Sequence, residues 1–309
     1  MSFNTDELAA QARAGLSTRS AGIRDVMPDQ HRVFFAAQPH VWVATLDAEG
    51  WPLATLLEGE PGFVTSPDPR TLRIDSLPGP DDPAHGTIRK GQEIGLLGID
   101  LTSRRRNRAN GVISEVDAAA FTVAVRQSFG NCPQYIQRRA LARAEAAPGG
   151  VRRLEFLDDD ARGLIARADT FFVASRSRSD VGPAGGADIS HRGGRPGFVR
   201  VDGETLSIPD FRGNGYFNTL GNLLGEPRSS LLFPDFVTGD LLQLQGVATI
   251  DWSPSAAARF QGAERIWHLR IARRWLRPRA AALRGTFVDY SPVTLRTGAW
   301  MTPPEAAVR

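Results

Sequence analysis

Between Asp188 and Asn222 the chain reads DISHRGGRPGFVRVDGETLSIPDFRGNGYFNTLGN, in which cations, amides, hydroxyls and glycines alternate with short apolar pieces. His191, Arg192 and Arg195 flank Gly193-Gly194. Arg212 and Asn214 interleave with Gly213 and Gly215, and Asn218 and Thr219 follow. Glycines let a ligand approach backbone N–H groups, while arginine forks and small polar side chains donate to phosphate. The chemistry such a set serves is capture of a phosphate-bearing cofactor at a barrel rim. Two solvated turns have the same composition, and composition alone does not choose between them.

A second group of cations, Arg104, Arg105, Arg106 and Arg108, lies in RRRNRANG (Arg104–Gly111). Its position suggests a strand-to-strand corner. So many neighbouring guanidiniums repel one another unless anions or carboxylates sit among them. Two readings stand: a fork set for the phosphate of a substrate or nicotinamide cofactor, or a solvated turn or salt-bridge hub. Downstream, QSFGNCPQYIQ (Gln127–Gln137) carries the sole cysteine, Cys132, ahead of a helix predicted from Pro133 to Ala147. At a helix N-terminus that thiol would be acidified; as a small buried residue it would be inert. The five histidines (His31, His40, His85, His191, His268) are scattered. They show neither metal-ligand spacing nor a Ser-His-Asp arrangement. Redox chemistry here would belong to a bound cofactor.

The elements that must position these residues read mainly as short strands separated by turns. Helices are predicted over 4–15 and 28–37, the second turning Val33 and Phe34 to the core. Strands follow at 41–46, 51–57, 71–74, 92–101 and 121–125. A linker helix spans 158–168, a strand starts near Phe171, and a hairpin turns at Asp202-Gly203. A short helix over 219–225 presents its N-terminus to an anion. The segment 265–279 alternates as a strand, yet with period four it is a basic amphipathic helix that could lie on a membrane. Pro61-Gly62-Phe63-Val64, Leu96-Leu97, Asp100 and Gly111-Val112 recur 135 residues later as Pro196-Gly197-Phe198-Val199, Leu231-Leu232, Asp235 and Gly246-Val247. Two tandem repeats follow: an N-terminal helical segment over 1–37, a first repeat over 38–126, a linker over 127–168 and a second repeat over 169–309. Only the second holds the dense polar turns, which predicts one well-formed site per chain.

The 309 residues include 41% hydrophobic and 23% charged side chains at a net charge of +3, ordinary for a globular chain and too balanced for a general nucleic-acid field. No apolar run approaches the roughly 20 residues of a membrane helix, and the N-terminus lacks an apolar signal core. One cysteine excludes an intrachain disulfide and fits a cytoplasmic setting.

SHRGGRPGFV, IPDFRGNGYFNTLGNLL, PRSSLLFPDF and TGDLLQLQG together resemble the pyridoxamine 5'-phosphate oxidase-like FMN-binding split-barrel proteins. The closer resemblance is to a long subgroup of predicted flavin-nucleotide-binding proteins, which share the RRRNRANG-like and QSFGNCPQYIQ-like stretches. The resemblance covers about residues 30–252. It implies a β-rich α+β fold of two tandem split β-barrels with connecting helices, and FMN as cofactor. The cofactor-binding set it implies is Asp188, Ser190, His191, Arg192, Pro209, Asp210, Arg212, Asn214, Asn218, Thr219, Asn222 and Gln243. Arg105, Arg106, Asn107, Asn131, Cys132, Gln134 and Tyr135 are candidates for substrate or supporting contacts. Relatives often hold the phosphate with a basic pair where this chain has Asn218 and Thr219, so Arg192 or Arg212 would compensate. Single-barrel relatives dimerise and bind flavin at the interface, which here would lie within one polypeptide, although pairing of two chains stays open. The implied function is an oxidoreductase of unknown small-molecule substrate or electron donor. Pyridoxamine phosphate oxidation itself is disfavoured, because Leu241-Leu242-Gln243-Leu244 stands where that oxidase has an arginine-bearing strand. The alternatives are a non-enzymatic flavin or haem carrier, with His191 or His268 as axial ligand, and an electron-transfer partner of a reductase.

Overall fold

A computed structural model describes residues 3–17, 22–145 and 149–300. Helix α1 (Thr5–Arg13) starts in a capping box: the Asn4 side chain accepts from the N–H groups of Asp6 and Glu7, and the Glu7 carboxylate accepts from Asn4 N–H. Helix α2 (Asp29–Ala36) follows. Strands β1 (His40–Leu46), β2 (Pro52–Glu58), β3 (Val64–Thr65), β4 (Thr71–Ile74), β5 (Glu93–Asp100), β6 (Arg105–Val116) and β7 (Phe121–Gly130) form an antiparallel sheet ordered β2-β1-β5-β6-β7-β4-β3. Strands β8 (Arg138–Arg143) and β9 (Arg152–Arg153) and helix α3 (Asp159–Arg167) lead to the second sheet. That sheet comprises β10 (Thr170–Arg176), β11 (Ala187–Gly193), β12 (Arg200–Asp202), β13 (Thr205–Phe211), β14 (Arg228–Pro234), β15 (Leu241–Asp251) and β16 (Ala263–Arg277). Helix α4 (Asn218–Gly225) separates β13 from β14, and α5 (Pro254–Ala257) separates β15 from β16. The order is β11-β10-β14-β15-β16-β13-β12, with β9 against β16; β17 (Leu283–Asp289) pairs apart with β8.

Taken in chain order, the seven strands of each sheet occupy the same places. Register agrees as well: Leu97 on β5 faces Arg108 on β6, and Leu232 on β14 faces Gln243 on β15, so both partners are displaced by 135. The contacts between the sheets are reciprocal, β5 lying on β11 and β14 on β2, as in an isologous interface. Trp42 of β1 stacks on Phe172 of β10 at 3.6 Å and 12°. Leu97, Ile189 and Leu232 complete a core between the sheets, and each sheet has a further apolar core of its own. Burial on both faces explains why β1 and β10 read as near-continuous apolar runs. Gly95 lets the sheets close, since a Cβ there would stand 2.8 Å from Asp188 Cα.

Three expectations need correction. Residues Arg104–Gly111 are not a corner; β6 starts at Arg105, and the turn lies before it. The helix predicted over 133–147 is absent from its described part: residues 138–143 form β8, whose hydrogen bonds to β17 override the helix propensity of this Ala/Arg-rich run. Its predicted end, at 146–147, lies outside the described residues. Val33 is 69% exposed, while Phe34 and Phe35 are buried. The strand alternation of 265–277 holds, since these residues belong to β16, and no helix of the described residues is long and apolar enough to cross a membrane.

Candidate functional site

A cleft of about 520 Å³ opens where the sheets meet, within the range of small-molecule sites. Sheet one supplies Arg106 and Arg108 from β6 and the loop Asn131–Tyr135; sheet two supplies Ser190–Gly193 from β11, Pro209–Phe211 from β13, the glycine-rich loop 212–217 and the start of α4. Helix α1 and Trp252 complete the lining. The sequence folds this way locally because β11 and β13 end in glycine-rich segments that leave the sheet, and Gly215 turns with φ +76°. The following Phe217 takes φ 60°, an uncommon left-handed conformation for a bulky residue, and so aims the N-terminus of α4 at the cleft. Tyr135 has φ 64° and also lines it. Strain in non-glycine residues gathers at functional sites. The Tyr135 ring stacks on Phe211 at 5.1 Å, and its hydroxyl donates to the Arg212 carbonyl at 3.1 Å. Burial, aided by Glu264 and Asp210, pushes that phenol up to about 12, so it remains a donor.

The cleft walls carry ion pairs, one of which crosses the seam. Arg108 Nη1 donates to both carboxylate oxygens of Asp188, at 3.0 and 2.9 Å, with both side chains almost wholly buried. Asn110 donates to the same carboxylate at 3.0 Å. Asp210 accepts from Arg192 at 2.5 Å and also pairs with Arg265. The Arg265 guanidinium lies over the rings of Phe217 and Trp252, 4.9 and 5.2 Å from their centroids. Arg106 differs: its Nε donates to the Cys132 carbonyl at 3.0 Å and its Nη1 to His191 Nδ1 at 3.3 Å. Burial, with Arg108 and Arg192 nearby, pulls Arg106 down to about 9, still cationic at neutral pH. His191 is 5% exposed; burial first, then Arg106, Arg139, Arg192 and Arg108, hold it well below the usual histidine range and therefore neutral.

Ser190, His191, Arg192, Pro209, Asp210, Arg212, Asn214, Asn218 and Thr219 all line the cleft, as do Arg106, Asn131, Cys132, Gln134 and Tyr135. The other expected residues stand elsewhere. Asp188 is buried behind the wall with Arg108, and Asn222 donates to Ser175 Oγ at 3.1 Å. Arg105 lies over Phe34, and Asn107 is buried beside Gly130. Gln243 is fully buried, donating to the Ala54 carbonyl at 2.9 Å and to Asp82 at 3.2 Å. It holds on β15 the place Arg108 holds on β6, and there Asp82, which accepts from both Thr55 and Arg277, fills the counterpart position. Asn218 and Thr219 are themselves partly engaged, the first by Glu7 and the second by Ser190. Cys132 follows a strand and precedes no helix, so the helix-based reason for an acidified thiol is removed. Among the described residues no His, Cys, Asp or Glu cluster could hold a metal ion. Sequence reasoning missed Arg108 as a wall residue, along with Arg265, Trp252 and the α1 contribution. Only Arg108 had a local signal, its place in the arginine cluster.

Residues 27–154 match the pyridoxamine 5'-phosphate oxidase family. No curated protein matches the chain. Among solved structures, HupZ of Group A Streptococcus is 14% identical over 43% of this chain and 97% of its own, with a TM-score of 0.30. A candidate pyridoxamine 5'-phosphate oxidase of Lactobacillus delbrueckii is 20% identical over 34% and 95%, with a TM-score of 0.28. HutZ of Vibrio cholerae, described as a haem storage protein, is 11% identical over 40% and 95%, with a TM-score of 0.30. Over residues 27–154, then, the chain is similar to the pyridoxamine 5'-phosphate oxidase family.

Proposed function

We propose that the chain binds one flavin mononucleotide in the cleft between its sheets and works as an oxidoreductase on a small molecule or electron donor. We read the sheets as tandem split barrels arisen by duplication, a single-chain counterpart of a barrel dimer. The observation that carries the proposal is the convergence, in one 520 Å³ cleft, of the α4 N-terminus, Arg192, Arg212 and the stacked Tyr135 and Phe211 rings. Backbone N–H groups at Asn218–Leu220 and the Arg212 guanidinium suit a phosphate. The aromatic side chains suit a flat heterocycle. Buried Asn131 Oδ1 and Arg192 Nε, an acceptor and a donor without protein partners, suit the polar edge of such a ring. When bound, flavin would supply one- or two-electron transfer. The chain's own residues would bind it, orient it and exclude water. The counterpart position is occupied by Gln243, Asp82, Thr55 and Arg277, which favours one cofactor per chain.

A haem-carrier reading draws on one feature: His191 lines the cleft as a neutral imidazole. His268 lies outside the cleft, bonded to Ser207 at 3.0 Å. The visible spectrum of the purified protein, with mass spectrometry of what heat releases, tests both. Flavin bands and released FMN at one per chain are expected. A Soret band after haem addition, with no affinity for flavin, would favour the carrier, and a protein that binds neither would overturn both readings.

A further inference from the structure

We propose that Arg106 and His191 form an oxyanion position in the cleft, taking the phosphate or carboxylate group of a bound small molecule. Each other buried cation of the wall has a carboxylate partner: Arg108 has Asp188, while Arg192 and Arg265 share Asp210. No ion pair among the described residues includes Arg106. Its contacts are the Cys132 carbonyl, the His191 carbonyl at 3.5 Å and His191 Nδ1. Nη2, with two of the five guanidinium N–H donors, has no protein acceptor among the described residues. The residue is half-buried, so this cation meets the cleft through limited solvent. A half-buried cation among other cations is stabilised by an incoming anion far more than one already paired.

His191 makes the position selective for oxygen. A guanidinium only donates, so Nδ1 is the acceptor and the ring proton stands on Nε2. That N–H is buried and has no protein partner. A neutral N–H donor beside an unpaired fork suits a multi-oxygen anion better than a halide. The ligand source is either the phosphate of the flavin or the oxyanion of a second ligand. Only this choice rests on the flavin reading; the site itself does not.

The test is thermal unfolding of the purified chain in chloride and in inorganic phosphate at equal ionic strength, which holds screening constant. Phosphate should raise the wild-type midpoint by about 2 °C at tenfold saturation. Arg106→Gln should lose that rise without a lower midpoint in chloride, because it removes an uncompensated cation; a structural arginine would behave oppositely. Arg106→Lys keeps the charge without the fork and should keep part of the rise, so it serves as the readout if the glutamine variant does not fold. Titration with FMN and with riboflavin assigns the source. If Arg106→Gln abolishes the preference for FMN, the anion is the cofactor phosphate. If the preference survives and the flavin-loaded wild type still gains from phosphate, the anion belongs to a second ligand. A wild type indifferent to phosphate, or a glutamine variant that keeps the whole rise, overturns the proposal. Phosphate stabilisation dependent on Arg106 in a protein that binds no flavin would instead overturn the flavin reading alone.

Discussion

Asp188 shows how a residue behind the cleft wall sets the wall's chemistry. Its carboxylate accepts from Arg108, Asn110 and Ser190, joining β6 of one sheet to β11 of the other. Asp188→Asn keeps the shape but leaves the buried Arg108 cation without its counter-charge. Breaking one partner of a buried pair costs about 3–5 kcal/mol, and denaturant unfolding should show a loss of that order. A loss within about 0.5 kcal/mol would mean that water or Glu7 takes over the charge. At this scale the sequence was partly legible. His191, Arg192, Arg212, Asn214, Asn218 and Thr219 lie within one local run, and glycine-rich turns confine such residues to one end of their strands. The pairing of Arg108 with Asp188 spans 80 residues, and no local pattern encodes it. The 135-residue offset did hold a clue to Gln243: it aligns Gln243 with Arg108, and that difference marks one side as charged and the other as closed.

Helix α1 shows what an element adds. It lies on α4, where a Cβ at Gly221 would approach Glu7 Cα to 2.6 Å. The Glu7 carboxyl bonds to Asn4 N–H and to the Asn218 amide at the N-terminus of α4. Burial, with Asp188 contributing, raises Glu7 from 4.5 to about 7. Because the folded value lies above the unfolded one, the stability due to its proton is fully present below pH 4.5 and is lost as pH rises through about 7. Glu7→Gln keeps a neutral acceptor for Asn218 at every pH. Its stability relative to wild type should therefore climb between pH 5 and pH 8, by at most about 3 kcal/mol. A pH-independent difference in unfolding midpoints would show that Glu7 ionises freely in the folded protein. The element scale also holds the plainest misreading. Residues 138–143 have helix-forming composition, but β17, almost 150 residues onward, recruits them as a strand. Propensity worth tenths of a kcal/mol per residue yields to a ladder of backbone hydrogen bonds.

At the scale of the whole molecule, the two sheets are joined by an apolar seam whose centre is Trp42 on Phe172. These residues occupy equivalent places on β1 and β10, opposite Leu97 and Leu232 respectively. The shared strand order and register disclose that equivalence, whereas periodicity in the sequence could not tell that equivalent residues would meet each other. Each strand was read for burial alone, and reciprocal packing is a property of the pair. The cleft depends on the seam, since Arg106 and Arg108 reach it from one sheet and β11, β13 and α4 from the other. Trp42→Ala should cost about 3–5 kcal/mol through lost burial and the cavity left behind. If the sheets form one cooperative unit, unfolding followed by far-ultraviolet dichroism and by ligand-dependent fluorescence should shift together and stay a single transition. If they are independent, the variant should lose ligand binding at a lower denaturant concentration than secondary structure. The coincident outcome would mean that the site exists only while both halves are docked, and that mutations at the seam, far from any polar residue of the cleft, weaken binding by opening it.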